Sequence, residues 1–315
     1  MRRHLLVLAA VLLLSAGSLA AQNLAGTYTV AQRDTCELKI DVYLPTPGSA
    51  VTIDGRQKPS VLFVFGGGFI LGSRNEPFYL PWFKLLNDDG YGVVSVDYRL
   101  GLKGKKLDFS LAHIVNSAKM VKQAVDMGVE DVYSAVRFLI DNEVGIDPYN
   151  LVISGSSAGA MITLSSVLET CTPTERTAVL PEGFRFKGAM SFAGSIMSDT
   201  GRPVYRSTPP PHLFFHGTDD GAVQYGKTVF GRLGVFGSSA LVSDVFVKNG
   251  YVYDIYRYVG HGHDIAAHMV ATRPEQKLFL ERNVVQEMRR VIDATVDDPA
   301  IPKWSSLSVS LDDIY

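Results

Sequence analysis

The sequence has little cysteine, no excess of charge and few long apolar runs, and each shortage excludes a class of protein. Two cysteines in 315 residues, Cys36 and Cys171, are too few for a disulfide scaffold, and neither has metal-ligand spacing. The sequence leaves open whether they pair with each other. A net charge of −2, with no long basic run, argues against a nucleic-acid partner.

The one long apolar run lies at the N-terminus. Two arginines precede apolar residues 5–14, and small residues follow as far as Ala20. This pattern is typical of a secretory signal peptide, and the run is too short for a comfortable membrane span. We therefore expect residues 1–21 to be removed by cleavage after Ala20 or Ala21. Residues 22–315 would form an exported protein, periplasmic or secreted, with no stable membrane span.

The rest of the chain alternates between strand and helix patterns. A leading strand pair ("GTYTV" and "ELKIDVYLP") is followed by continuous apolar runs such as "SVLFVF" and "YGVVSV", which are typical of strands buried on both faces. This order predicts one α/β domain with a doubly wound, mostly parallel sheet and an antiparallel edge. Residues 101–127 are less regular and are expected to form a small insertion, with a clearer amphipathic helix after them. Helical segments are expected up to residue 295.

Ser157 stands between Gly155 and Gly159 where the strand "LVIS" meets a helical pattern. A tight turn alone would explain the glycines, but G-x-S-x-G between a strand and a helix is the pattern of a nucleophile elbow. Side chains at the two glycine positions would collide with neighbouring backbone. The turn would expose the serine hydroxyl near the positive end of the following helix.

A serine hydroxyl needs a base and an orienting acid before it can act as a nucleophile. We favour His263 as the base because it lies on a loop after the last apolar strand, and we expect His261 and His268 to have no such role. Asp219 and Asp220 follow the strand "HLFFHG", and chemistry alone allows either to be the acid.

Backbone N–H groups could stabilise an oxyanion at two places. Glycines at 66–68 end an early strand and leave backbone donors unobstructed, while Ala158 follows the serine directly. The alternative for the glycines is an ordinary glycine-rich turn.

Together these segments resemble the α/β-hydrolase superfamily, in particular its esterase and lipase branch related to hormone-sensitive lipase and the carboxylesterases. The resemblance runs from about residue 36 to about residue 280. It implies the α/β-hydrolase fold, with Gly67 and Gly68 as oxyanion donors beside Ala158. By the patterns H-G-x-x-D and G-x-G-H, it also implies Asp220 as the acid and His263 as the base.

The chain departs from the family pattern in two places. Phe65 stands where the glycine loop usually begins with histidine, and the N-terminal helical cap common in the lipase branch is absent or short. Residues 101–127 are expected to cap the pocket instead.

The sequence therefore predicts an exported serine esterase that works through an acyl-enzyme and needs neither metal nor organic cofactor. Expected substrates are small-molecule or carbohydrate-linked esters, among them acetyl and feruloyl esters of plant polysaccharide. A serine peptidase, an acyltransferase and a non-catalytic binding protein on the same fold are the alternatives. The oligomeric state is not predicted.

Overall fold

The computed structural model describes residues 23–304 except residues 35, 109 and 111, so the predicted signal peptide lies outside the described residues. The strands are β1 (Leu24–Gln32), β2 (Glu37–Tyr43), β3 (Thr52–Ile53), β4 (Arg56–Gln57), β5 (Ser60–Val64), β6 (Val93–Val96), β7 (Leu151–Ser156), β8 (Gly188–Phe192), β9 (Ser195–Ser198), β10 (His212–Gly217), β11 (Lys227–Phe230), β12 (Leu233–Gly237), β13 (Tyr253–Tyr258) and β14 (Ile292–Val296). The α-helices are α1 (Leu80–Asp88), α2 (Ile114–Asp141), α3 (Ala158–Cys171), α4 (Ser238–Leu241), α5 (Val247–Asn249) and α6 (Arg273–Phe279). Short 3₁₀ turns (Glu175–Val179 and His263–Ala267) and π turns (Val242–Phe246 and Leu280–Val285) complete the helical structure.

Among the described residues, nine strands form one sheet in the order β1-β2-β6-β5-β7-β8-β10-β13-β14. The pairings of β2 with β1 and β6 are antiparallel, and all the others are parallel. Every residue of the central strands β7, β8 and β10 is buried, as expected for strands covered on both faces. The predicted mostly parallel sheet with an antiparallel edge is confirmed.

Two segments differ from the sequence prediction. Residues 114–127 are the first half of the 28-residue helix α2 and not part of an irregular insertion. Buried positions such as Ala124, Val125 and Val132 continue one helical stripe through the predicted boundary. The expected helical structure near residue 295 is also wrong, because Ile292–Val296 is a strand that pairs in parallel with β13.

A second, antiparallel sheet was not predicted. The hairpin β11–β12 adds to β9, the short strand that directly follows the sheet strand β8. Gly231 begins its two-residue turn with φ of 62°, the left-handed conformation that such a tight hairpin requires. This hairpin stands over the site described below.

The two cysteines lie within the described residues and are not joined by a disulfide. Cys171 is buried at the end of α3, and Cys36 is half-buried at the start of β2. In the part of the chain that the structure describes, no helix has the length and apolarity needed to cross a bilayer.

Candidate active site

Ser157 occupies a strained turn between β7 and α3. Its φ of 52° and ψ of −120° lie in a region that a residue with a side chain rarely adopts. A Cβ at Gly155 would lie 2.3 Å from the Gly159 oxygen, and a Cβ at Gly159 would lie 2.1 Å from the Val64 oxygen. Both glycines are therefore required by close backbone approach, as the sequence predicted.

The turn brings Ser157 to the two side chains that the sequence analysis placed far along the chain. Its Oγ lies 2.7 Å from Nε2 of His263, and Nδ1 of His263 lies 2.8 Å from Oδ2 of Asp220. A carboxylate can only accept a hydrogen bond, so the His263 proton is on Nδ1 and its Nε2 lone pair faces the serine hydroxyl. The arrangement can remove the serine proton at the moment of attack.

Asp220 is held as a carboxylate by four donors. Its Oδ1 accepts hydrogen bonds from the backbone N–H groups of Ala222 and Val223, both at 2.9 Å, and its Oδ2 faces His263 and His216. Burial raises the pKa of the Asp220 carboxyl, but the hydrogen bonds from His216 and His263 outweigh burial and hold that pKa well below its usual range. The side chain therefore stays charged while it is fully buried.

His216 is the polar residue whose role the sequence analysis missed. Its Nε2 lies 3.2 Å from the Val223 carbonyl oxygen. The same nitrogen is also 3.2 Å from Oδ2 of Asp220, and Nδ1 lies 2.8 Å from Oγ of Ser238. The i, i+4 spacing of His216 and Asp220 across the strand end was the available signal.

The Asp219 side chain does not contact His263. It is exposed, and its carboxylate accepts a hydrogen bond from the Thr218 hydroxyl beside it. Its backbone N–H donates to the carbonyl of His261 at 2.9 Å, which ties the loop that follows β10 to the loop that carries His263. The structure thus places Asp220, and not Asp219, on the histidine.

Aromatic packing holds the glycine loop where the family pattern has histidine. The Phe65 ring stacks on Tyr98 with centroids 4.4 Å apart, and the Tyr98 hydroxyl donates to the Phe65 carbonyl. The backbone N–H of Gly66 donates to the buried Tyr79 hydroxyl. Gly67 has φ of 125°, where a Cβ would lie 2.1 Å from the Leu71 oxygen, so the loop requires glycine there.

A cavity of about 320 Å³ opens in front of Ser157. Gly68 and Ala158 line it, together with Ser157 and His263, whereas Gly67 is outside the set of described lining residues. Most of the wall is apolar and comes from the glycine loop, α2, α3, β9 and the β11–β12 hairpin. The apolar side chains are Phe69, Ile114, Ala118, Val121, Met161, Met197, Ala222, Val223, Phe230, Leu233 and Val235.

Comparison with known proteins agrees with this architecture. A family model described as "alpha/beta hydrolase fold" matches residues 61–183. The chain is 28% identical over 141 residues to the para-nitrobenzyl esterase of Bacillus subtilis. The aligned region covers 44% of this chain and 26% of the relative. It is 33% identical over 105 residues to the fumonisin B1 esterase of Sphingopyxis macrogoltabida. This aligned region covers 32% of this chain and 18% of the relative. The chain spans about a quarter or less of the length of these curated relatives.

Similar solved structures extend the likeness over most of the chain. Esterase 2 of Thermogutta terrifontis, in its native form, superposes with a TM-score of 0.56 at 19% identity, covering 83% of this chain and 93% of that one. The same esterase phosphorylated by paraoxon superposes with a TM-score of 0.55 at 20% identity, covering 81% and 93%. At this identity the likeness establishes the fold, and the chemistry has to be argued from the site itself.

Proposed function

We propose that this chain, which has the α/β-hydrolase fold, is a serine carboxylesterase whose triad is Ser157, His263 and Asp220. The observation that carries the proposal is the 2.7 Å contact between Ser157 Oγ and His263 Nε2, made on a strained turn that opens into an apolar cavity. A strained nucleophile facing a base and a cavity is the arrangement that acyl transfer requires.

In the proposed mechanism, Ser157 Oγ attacks the ester carbonyl while His263 Nε2 takes the hydroxyl proton. The Asp220 carboxylate keeps the imidazole in the required tautomer and stabilises its protonated form. His263 then gives the proton to the leaving alcohol, and an acyl group remains on the serine. Water attacks this acyl-enzyme by the same proton transfers, and the carboxylic acid is released.

We assign the oxyanion hole to the backbone N–H groups of Gly67, Gly68 and Ala158. Ala158 follows the nucleophile at the first position of α3, and both Ala158 and Gly68 line the cavity. Such donors stabilise negative charge as it develops on the carbonyl oxygen, and each contributes about 3–4 kcal/mol to the transition state. The Gly67 carbonyl accepts hydrogen bonds from the N–H groups of Ile70 and Leu71, which hold the turn of the glycine loop at this position.

The cavity supports esters with a short apolar acyl group. A volume of about 320 Å³ is near the lower end for small-molecule sites, and the wall offers few hydrogen-bonding side chains. Gln224 and Thr228 are among its polar members and could contact a sugar alcohol. Structures of the Thermogutta esterase with propionate and with butyrate bound are consistent with a short acyl group. Acetyl esters of carbohydrate therefore fit this site better than feruloyl esters.

We also propose that the protein is exported, because residues 1–21 have the pattern of a signal peptide.

The experiment that tests the proposed activity is hydrolysis by the purified chain of p-nitrophenyl acetate, butyrate and octanoate, with acetylated xylan and methyl ferulate alongside. We expect the highest kcat/KM values for p-nitrophenyl acetate and butyrate. No turnover of any ester would favour a non-catalytic binding protein and would contradict the proposal.

Narrowing the cavity should change the preference for acyl length. Ala118, on α2, lines the cavity, and Ala118→Phe adds a ring to that wall. We expect kcat/KM for p-nitrophenyl butyrate to fall at least about tenfold more than for the acetate, since each methylene in such a pocket is worth about 1–3 kcal/mol. The matched control is Lys119→Phe at the exposed next position. Equal losses on both esters would show that the acyl group binds elsewhere.

A further inference from the structure

A second cluster of chemistry-bearing side chains lies beside the triad and is not used by it. His261, Asp264 and His268 are 3%, 1% and 2% exposed, and each offers one ligand atom within 4.8 Å of the other two. Nδ1 of His261 lies 2.7 Å from Oδ2 of Asp264, and Nε2 of His268 lies 3.4 Å from the same oxygen. Two imidazoles and a carboxylate therefore converge at one buried point.

This cluster is separate from the reacting atoms. Both ring nitrogens of His263 are occupied by Ser157 and Asp220, so His263 takes no part in the cluster. His261 and Asp264 flank His263 along the chain, and His268 follows the 3₁₀ turn His263–Ala267. The cluster therefore surrounds the loop that carries the proposed base without touching the substrate cavity.

Hydrogen bonding within the protein does not satisfy the cluster. Among the described residues, Nε2 of His268 and Oδ1 of Asp264 have no hydrogen-bond partner, although both are buried. One carboxylate oxygen faces both histidines while the other faces none. Buried polar atoms without a partner cost stability, and native proteins have few of them. Two such atoms on adjoining members of one cluster indicate a ligand that bonds to both.

We propose that His261, Asp264 and His268 bind a divalent transition-metal ion of the zinc class at a site that takes no part in the ester chemistry. Such an ion takes imidazole nitrogen at about 2.0–2.1 Å and carboxylate oxygen at about 2.0–2.2 Å, so ligand atoms on one tetrahedral ion lie about 3.4 Å apart. The separation of 3.4 Å between His268 and Asp264 matches this spacing. His261 Nδ1 lies 2.7 Å from the same oxygen, which is a hydrogen-bond distance, so the ion would replace the proton between them and His261 would shift outward by less than about 1 Å.

The donor set selects the kind of ion. Two imidazole nitrogens and one carboxylate suit zinc, nickel and cobalt, whereas magnesium and calcium prefer an all-oxygen shell. With three protein ligands the fourth position belongs to water. The sequence analysis expected no metal, and the proposed esterase chemistry still requires none. The ion would instead join the two ends of the 3₁₀ turn that begins at His263, and the Trp304 ring packs beside it, with its centroid 4.3 Å from that of His268.

Zinc binding to the full chain tests the proposal. The tag-free protein is treated with EDTA, dialysed and titrated with ZnCl₂ by calorimetry, with MgCl₂ and CaCl₂ as controls. We expect one zinc ion per chain with a micromolar or lower Kd, no heat from the other two salts, and a rise of a few degrees in Tm at saturating zinc. His268→Gln should weaken zinc binding at least tenfold, because it removes one of three ligands. The matched control, His113→Gln, removes an exposed histidine and should bind zinc like the parent.

Quenching of tryptophan fluorescence by Ni²⁺ gives a second measurement, which remains informative even if the His268→Gln variant does not fold. Ni²⁺ bound at the cluster should quench the fluorescence of Trp304, which packs on His268, and Trp304→Phe should abolish this quenching while Trp82 remains as the internal reference. Absence of zinc binding and of Ni²⁺ quenching in the parent would overturn the proposal. Equal zinc binding by His268→Gln and the parent would overturn it as well, since the ion would then lie elsewhere. None of these readouts depends on ester hydrolysis.

Discussion

Asp220→Asn should lower kcat for p-nitrophenyl acetate about 10⁴-fold while leaving the fold intact. The side-chain oxygen at position 220 is held by the N–H groups of Ala222 and Val223, so an asparagine keeps its oxygen there and turns its NH₂ group toward His263. His263 must then present a lone pair at Nδ1 and carry its proton on Nε2, where it cannot accept the proton of Ser157. Loss of the required tautomer costs about this factor in a serine triad.

The neighbouring position provides the control for this substitution. Asp219→Asn makes the same chemical change one residue away, on an exposed side chain that contacts Thr218 and not the histidine. Its kcat should stay within about twofold of the parent. Equal losses for the two variants, or an Asp220→Asn enzyme as active as the parent, would show that Asp220 does not orient the base. Circular dichroism and Tm would verify that both variants fold.

Gly159→Ala should cost about 3 kcal/mol or more in the free energy of unfolding and abolish most of the esterase activity. The added Cβ would lie 2.1 Å from the Val64 oxygen and 2.4 Å from the Phe65 oxygen, and both are backbone atoms that cannot rotate away. Overpacking against a buried central strand forces the backbone to shift. Because Phe65 leads into the glycine loop, the shift would also move the proposed oxyanion donors away from Ser157.

Urea unfolding and steady-state kinetics measure both effects. The matched variant is Gly226→Ala, where a Cβ would meet only the end of the Gln224 side chain at an ordinary 3.6 Å. It should change the unfolding free energy by less than about 1 kcal/mol and leave kcat near the parent value. A Gly159→Ala protein that matched it in stability and activity would contradict the reason given for the glycine.

The sequence predicted those parts of the molecule whose residue types follow from local physics. Continuous apolar runs identified the central strands, and the glycines around Ser157 indicated a turn with close backbone approach, which the structure confirms. Chain order and residue type were enough to nominate His263 as the base. These predictions depend on short segments, and each segment carries its own signal.

The parts that sequence did not predict depend on contacts between distant segments. The acid could not be chosen between Asp219 and Asp220 by chemistry, because the choice depends on which carboxylate turns inward after β10. The apolar spacing of α2 continues through residues 114–127, but polar residues within the stripe obscured it. The alternating segment 292–296 resembled the end of a helix until its pairing with β13 was known.

The cavity wall was the least predictable feature. Part of the wall comes from the β11–β12 hairpin, whose alternating residues and glycine turn were present in the sequence but gave no signal of their own. Only the pairing of β12 with β9 brings Phe230, Leu233 and Val235 over Ser157. The shape of the cavity, and with it the substrate preference, therefore depends on contacts between distant segments. The residue to mutate in the acyl-length experiment could be chosen only from the structure.

Covalent trapping with paraoxon tests most directly whether the Ser157 oxygen is the nucleophile. The parent protein is incubated with this organophosphate, and intact mass and peptide mapping locate the phosphoryl group. We expect one phosphoryl group per chain, on Ser157, with esterase activity lost in proportion, and no modification of Ser157→Ala. Modification at another residue, or a Ser157→Ala protein that hydrolyses p-nitrophenyl acetate within tenfold of the parent rate, would contradict the account.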